Sequence, residues 1–121
     1  GLLYIPVRDL RRYGLKKEDL IRFKKNKTIN SNFRKLAGQY VRLARSYEAR
    51  GRRLLKGLNR KISQDSRFIL RLLLDFYSAT LEKIIQVDYN VFSGKEKLTR
   101  AEEEKLIKRV ARQIDYDLRY V

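Results

Sequence analysis

The chain has 121 residues, with 30 Lys and Arg against 14 Asp and Glu, giving a formal net charge of +16. It holds no Cys, His, Met or Trp, which excludes thiolate and imidazole metal sites, disulfides, and Cys–His or Ser–His–Asp nucleophiles. One Pro and six Gly in a chain that is 36% charged and 43% hydrophobic leave little material for a turn-rich β fold and much for helices.

A chain of this size makes one modest domain that buries roughly two-thirds of its unfolded surface. The excess of positive charge attracts anions and strains the isolated compact state by self-repulsion. An acidic partner, including a further part of the same polypeptide, would relieve it. No apolar run approaches the ~20 residues that cross a bilayer; the longest, Phe68 to Phe76, is interrupted by Arg71 and Asp75. No signal peptide is visible. The first residue is Gly1 rather than Met, so the expectation is a fragment, a split subunit or a processed product.

Residues 1–29 read as an opening segment. Pro6 ends the stretch Leu2 to Ile5, since the residue before a proline avoids helix. Val7 to Tyr13 makes two helical turns stopped by Gly14. Lys16 to Phe23 makes another short helix, and Lys24 to Lys27 a basic loop. The first long helix starts near Asn30 or Ser31, either of which can cap it. Phe33, Leu36, Tyr40, Leu43, Tyr47, Leu54 and Leu58 then follow a three-or-four spacing, with Gly51 in the gap. Lys35, Arg42, Arg45, Arg52 and Lys56 lie away from that stripe, and with Arg53, Arg60 and Lys61 the group reads as a solvated basic face.

The pattern breaks at Gly57 to Lys61, and Ser63 caps a second long helix running to about Asn90. Its apolar residues cover more than one face, which predicts a central helix packed from two sides. Asp75 and Glu82 on it read as members of ion pairs rather than catalysts. Ser93-Gly94 marks a turn. Thr99 and Glu102 form a capping box for a third helix, whose stripe is Leu106, Ile107, Val110, Ile114, Leu118 and Val121. The fold class is therefore all-α: a helical bundle with three long helices in residues 30–121 after a short helical opening segment, all in one unit spanning 1–121.

Two stretches carry more than helical pattern. Gly1, Tyr4, Pro6, Asp9-Leu10, Tyr13-Gly14 and Asp19-Leu20 resemble, in order and spacing, a segment of the squalene/phytoene synthases, the head-to-head isoprenyl diphosphate synthases. Phe76-Tyr77, Leu81, Ile84 and Tyr89-Asn90-Val91-Phe92 are similar to a second segment of that family, and Leu98-Thr99 to the start of its last helix. The likeness runs from Gly1 to about Val110. It implies the C-terminal half of an isoprenoid-synthase-like fold, in which two prenyl diphosphates condense through a cyclopropyl intermediate inside an apolar cavity. It also implies Mg²⁺ held by two Asp-rich motifs, because a hard cation wants carboxylate and phosphate oxygens.

Neither Asp-rich motif occurs in this sequence. The resemblance thus implies Mg²⁺ bound by residues outside this chain, no metal ligand within it, and no turnover from it alone. Its implied partners are the N-terminal remainder of the enzyme or a complementary subunit, and a prenyl diphosphate substrate. Three residues fall where the family approaches substrate: Tyr77, the one catalytic candidate, with Tyr4 and Lys95 as diphosphate or cavity residues. Lys95 stands near a position where the family usually carries Arg, and lacks its bidentate fork. Packing roles for both tyrosines, and a solvated loop lysine, are the plainer readings. The alternatives are a non-catalytic relative acting as an assembly or scaffold subunit, or a basic helical module for nucleic acid. The last ranks lowest, because no zinc-finger spacing or RNA-binding aromatic motif is present. The expected location is cytoplasmic, with peripheral contact at an acidic membrane as an added option.

Overall fold

The structure, a computed structural model, describes residues 5–120. Five helices follow one another: α1 (Val7–Arg12), α2 (Lys17–Asn26), α3 (Ser31–Leu58), α4 (Gln64–Gln86) and α5 (Arg100–Gln113), with a 3-10 turn at Leu118–Tyr120. No strand occurs among the described residues. The all-α reading holds.

Local chemistry sets most helix starts. Asn30 Oδ1 accepts the Phe33 N–H at 2.9 Å, and Ser63 Oγ accepts the Ser66 N–H at 3.1 Å. Thr99 and Glu102 exchange the two bonds of a capping box, at 3.1 and 3.2 Å. Gly14, at φ +68°, ends α1 in the left-handed region that a side chain disfavours.

The ends depart from the sequence pattern. α2 runs through Lys24 and Lys25, expected in a loop, because lysine extends a helix readily; it stops at Lys27 with φ 56°. α4 stops at Gln86 rather than near Asn90, and Asp88 and Tyr89 both take positive φ. α5 stops at Gln113, so Leu118 leaves the stripe. There Asp115 turns left-handed at φ 55°, and Tyr116 swings back to stack on Phe68 with ring centroids 4.2 Å apart. Its hydroxyl donates to Asp65 at 2.7 Å. Val121 lies outside the described residues.

The core is divided. One cluster gathers Ile5, Leu10 and Leu15 from the opening segment, Phe23 from α2, and Phe33, Leu36 and Ala37 from α3. Tyr89, Val91 and Phe92 return from beyond α4 to close it, and Phe23, Phe33 and Phe92 meet at centroid distances of 5.4 to 6.2 Å. Asn90 Nδ2 donates to the Lys27 carbonyl at 3.0 Å, fixing that return. Tyr40 donates to Asp9 at 2.6 Å; burial first and the Asp9 carboxylate second push its hydroxyl up to about 12. The other cluster joins α4 to α5 through Phe68, Leu106, Val110 and Ala111. α4 packs on both α3 and α5, the central place its many apolar positions predict.

Candidate functional site

α3 and α4 run antiparallel, as the pairings Arg45–Glu82 and Arg52–Asp75 require. Their shared seam has two unlike sides.

One side is ionic. Asp75 is only 6% exposed, among the apolar residues of α4. An unpaired carboxylate there would be costly. Arg52 approaches it at 2.8 Å, Arg71 at 3.3 Å and Arg109 of α5 at 3.8 Å. Glu48 takes Arg45 and Arg52, both at 3.1 Å. Burial alone would raise the Glu48 carboxyl, but hydrogen bonds from Arg52, Arg45 and Ser78 hold it below its ordinary value. Arg52 is raised in turn: its burial opposes charge, and Asp75 and Glu48 outweigh that. Glu82 binds Arg45, and Lys83 reaches Glu102 of α5 at 2.9 Å. Asp75 and Glu82 are thus ion-pair members, as the sequence suggested. Arg45 and Arg52 are a correction: they are half-buried partners of these acids rather than part of a solvated face, because α4 brings carboxylates against them.

The other side is apolar and open. A groove of about 540 Å³ lies between the helices, lined mainly by Tyr47, Leu54, Leu55, Leu70, Leu73, Leu74 and Tyr77. Gly51 also lines it: a Cβ at that position would meet Leu74 Cδ2, the end of a flexible side chain, at 2.9 Å. The walls stay in water. Leu54 is 68% exposed, Leu73 62%, Tyr47 55% and Tyr77 41%. The volume and lining suit a small apolar or amphipathic ligand, and large contiguous apolar exposure of this kind marks a binding face.

The sequence candidates separate. Tyr77 lines the groove. Lys95 does not; it is exposed in the loop before α5, its backbone N–H donating to Ser93 Oγ at 3.2 Å. Tyr4 lies outside the described residues. The structure adds Tyr47 across the groove from Tyr77, a residue that its spacing on α3 assigned only to a packing stripe.

A protein-family model described as squalene/phytoene synthase matches residues 1–102. The chain belongs to that family. No curated protein and no solved structure matches it. The stretches that carry the family likeness, far apart in sequence, meet in one cluster, where Ile5, Leu10 and Leu15 pack with Tyr89, Val91 and Phe92. The Mg²⁺ that squalene/phytoene synthases imply does not fit the residues described: no three acids among them converge on a common point, and Asp75 and Glu48 are already occupied by arginines.

Proposed function

We propose that this chain forms one wall of the prenyl-chain cavity of a head-to-head prenyltransferase, with the α3–α4 groove as that wall. The observation that carries the reading is the open apolar groove with a tyrosine on each bank, in a squalene/phytoene synthase family chain. Apolar walls keep water from a carbocation once they are closed over. The ring faces of Tyr47 and Tyr77 can steady positive charge, and the Tyr77 hydroxyl can donate to a diphosphate oxygen. The facing wall and the Mg²⁺-holding carboxylates belong to polypeptide outside these 121 residues, either the remainder of the same enzyme or a complementary subunit. Magnesium bound there would draw off the charge of the leaving diphosphate.

The test uses the complete enzyme with an allylic prenyl diphosphate and Mg²⁺, reading product by mass spectrometry. Head-to-head product is expected, and Tyr77→Phe should lower turnover by about tenfold to a hundredfold, the effect of one hydrogen bond to a charged group. Absence of product from the complete protein would put the scaffold reading ahead. Unchanged turnover and product ratio in Tyr77→Phe would leave that residue a packing role only. In the 121-residue chain, which lacks Trp, Tyr47→Trp places a single indole on the groove bank, and its emission should shift when a non-hydrolysable prenyl diphosphate is added.

A further inference from the structure

The groove has a definite length and two unlike ends. Its lining runs from Tyr47 to Leu58 on α3 and from Leu70 to Tyr77 on α4. The Arg45–Glu82 and Arg52–Asp75 pairs fix an antiparallel register. That register puts both tyrosines at one end and Leu58 and Leu70 at the other. At a rise of about 1.5 Å per residue, the lined stretch is about 16 Å on α3 and about 10 Å on α4.

The tyrosine end carries the polar groups of the lining: the two hydroxyls and Glu48. Arg50 stands there as well. It is exposed, its guanidinium lies over the Tyr47 ring at 5.8 Å, and it has no ion-pair partner among the described residues. From Gly51 to the hairpin end every other lining side chain is leucine. Past Leu58 the apolar lining stops, because the turn is Asn59, Arg60 and Lys61, all exposed. Ile69, at the same end, is outside the lining.

A prenyl chain adds four backbone bonds per unit, about 5 Å at the roughly 1.2 Å per bond of an extended chain. Two units thus reach about 10 Å, three about 15 Å and four about 20 Å. Three units fill the longer bank. A fourth runs onto Asn59, Arg60 and Lys61, where hydrocarbon would displace water from polar groups and give no hydrogen bond in return.

We infer that the α3–α4 wall is a ruler for a three-unit prenyl chain. The diphosphate lies at Tyr77 and Arg50, the tail ends between Leu58 and Leu70, and those two leucines set the length limit. The inference rests on the cavity reading above. It adds the direction in which the chain lies and the length at which binding stops improving.

The 121-residue chain has no Trp, so single indoles report position along the groove. Tyr47→Trp and Leu58→Trp replace exposed side chains, and circular dichroism should show the parent helix content in both. Each is titrated with non-hydrolysable two-, three- and four-unit prenyl diphosphates, below the concentration at which the ligand aggregates. Emission of Tyr47→Trp should respond to all three. Leu58→Trp should respond to the three- and four-unit ligands and not to the two-unit one. Affinity read at position 47 should rise about tenfold from two units to three, roughly a third of the full burial of five carbons. From three units to four it should change by less than about twofold. Adding Leu70→Arg to Tyr47→Trp should abolish the gain from the third unit and leave two-unit binding within about twofold of its parent.

Affinity that keeps climbing at the fourth unit, as in non-specific partitioning of an apolar chain, would overturn the inference. So would a Leu58→Trp response to the two-unit ligand, which marks the opposite direction, or a third-unit gain that survives Leu70→Arg. Silence of both indoles toward every ligand would remove the cavity reading itself and this inference with it, so the two failures are distinguishable.

Discussion

The two halves of α3 behave as if they belonged to different proteins. Its first turns, with Phe33, Leu36, Ala37 and Val41, are buried, and most of these residues join a cluster built from the opening helices and the segment after α4. Its last turns, with Tyr47, Leu54 and Leu58, bear comparable side chains in open water. Apolar identity is the same in both halves. What differs is whether another element arrives to cover it. The first half stabilises the fold, and the second keeps a surface available.

Side-chain truncation in each half tests that contrast with the largest effect. Phe33→Ala removes a ring that is 2% exposed and should cost about 3–5 kcal/mol in denaturant unfolding. Leu54→Ala on the same helix should stay within about 0.5 kcal/mol. Equal losses would mean that the distal half is covered in the free protein.

Next in size is the ionic side of the seam, which joins the two halves. Asp75→Ala removes the closest carboxylate from the half-buried Arg52, which keeps Glu48 at 3.1 Å, and a thermal melt should show a loss of about 1–3 kcal/mol. The double variant Asp75→Leu, Arg52→Leu should recover much of that loss, because an apolar pair avoids the desolvation penalty.

The pH dependence is smaller. Glu48 is held below its ordinary value in the folded state, so the unfolded chain binds its proton more readily. Its contribution is complete above about 4.5, the unfolded value, and disappears as the pH falls through the lower folded value. Melting temperature should therefore drop on acidification in this window, and Glu48→Gln should shrink that drop. An unchanged acid limb in the variant would show that other carboxylates set it.

Smallest of all should be Gly51→Ala. The new methyl meets the end of the flexible Leu74 side chain, while alanine gains about 1 kcal/mol of helix propensity. Net stability should change by less than about 1 kcal/mol, but the groove narrows and an apolar dye should bind it more weakly.

The sequence made the helix starts legible because the caps are local: Asn30, Ser63 and Thr99 each bond a backbone N–H three residues on. Helix ends were less legible because distant groups decide them. Tyr116 leaves the α5 line to reach Phe68 and Asp65, 48 and 51 positions away in the chain. The stripe on α3 was visible as spacing, yet spacing does not separate Leu36, which is buried, from Leu54, which is not. Tyr77 could be singled out by family likeness. Tyr47 could not, since its position opposite Tyr77 exists only once α4 folds back. The same fold-back turned Arg45 and Arg52 from apparent surface charges into partners of Glu82 and Asp75.

Asp75 also acts as a detent. A helical hairpin lined with leucines could slide by one turn and still present leucine to leucine. Here such a slip would carry the carboxylate about 6 Å from the Arg52 guanidinium, one helical pitch, leaving it only Arg71 of its own helix and Arg109 of α5. The observed alignment is the one that keeps the close Arg52 contact, so the register of the groove-lining residues is held by a charge that lies on the other side of the seam.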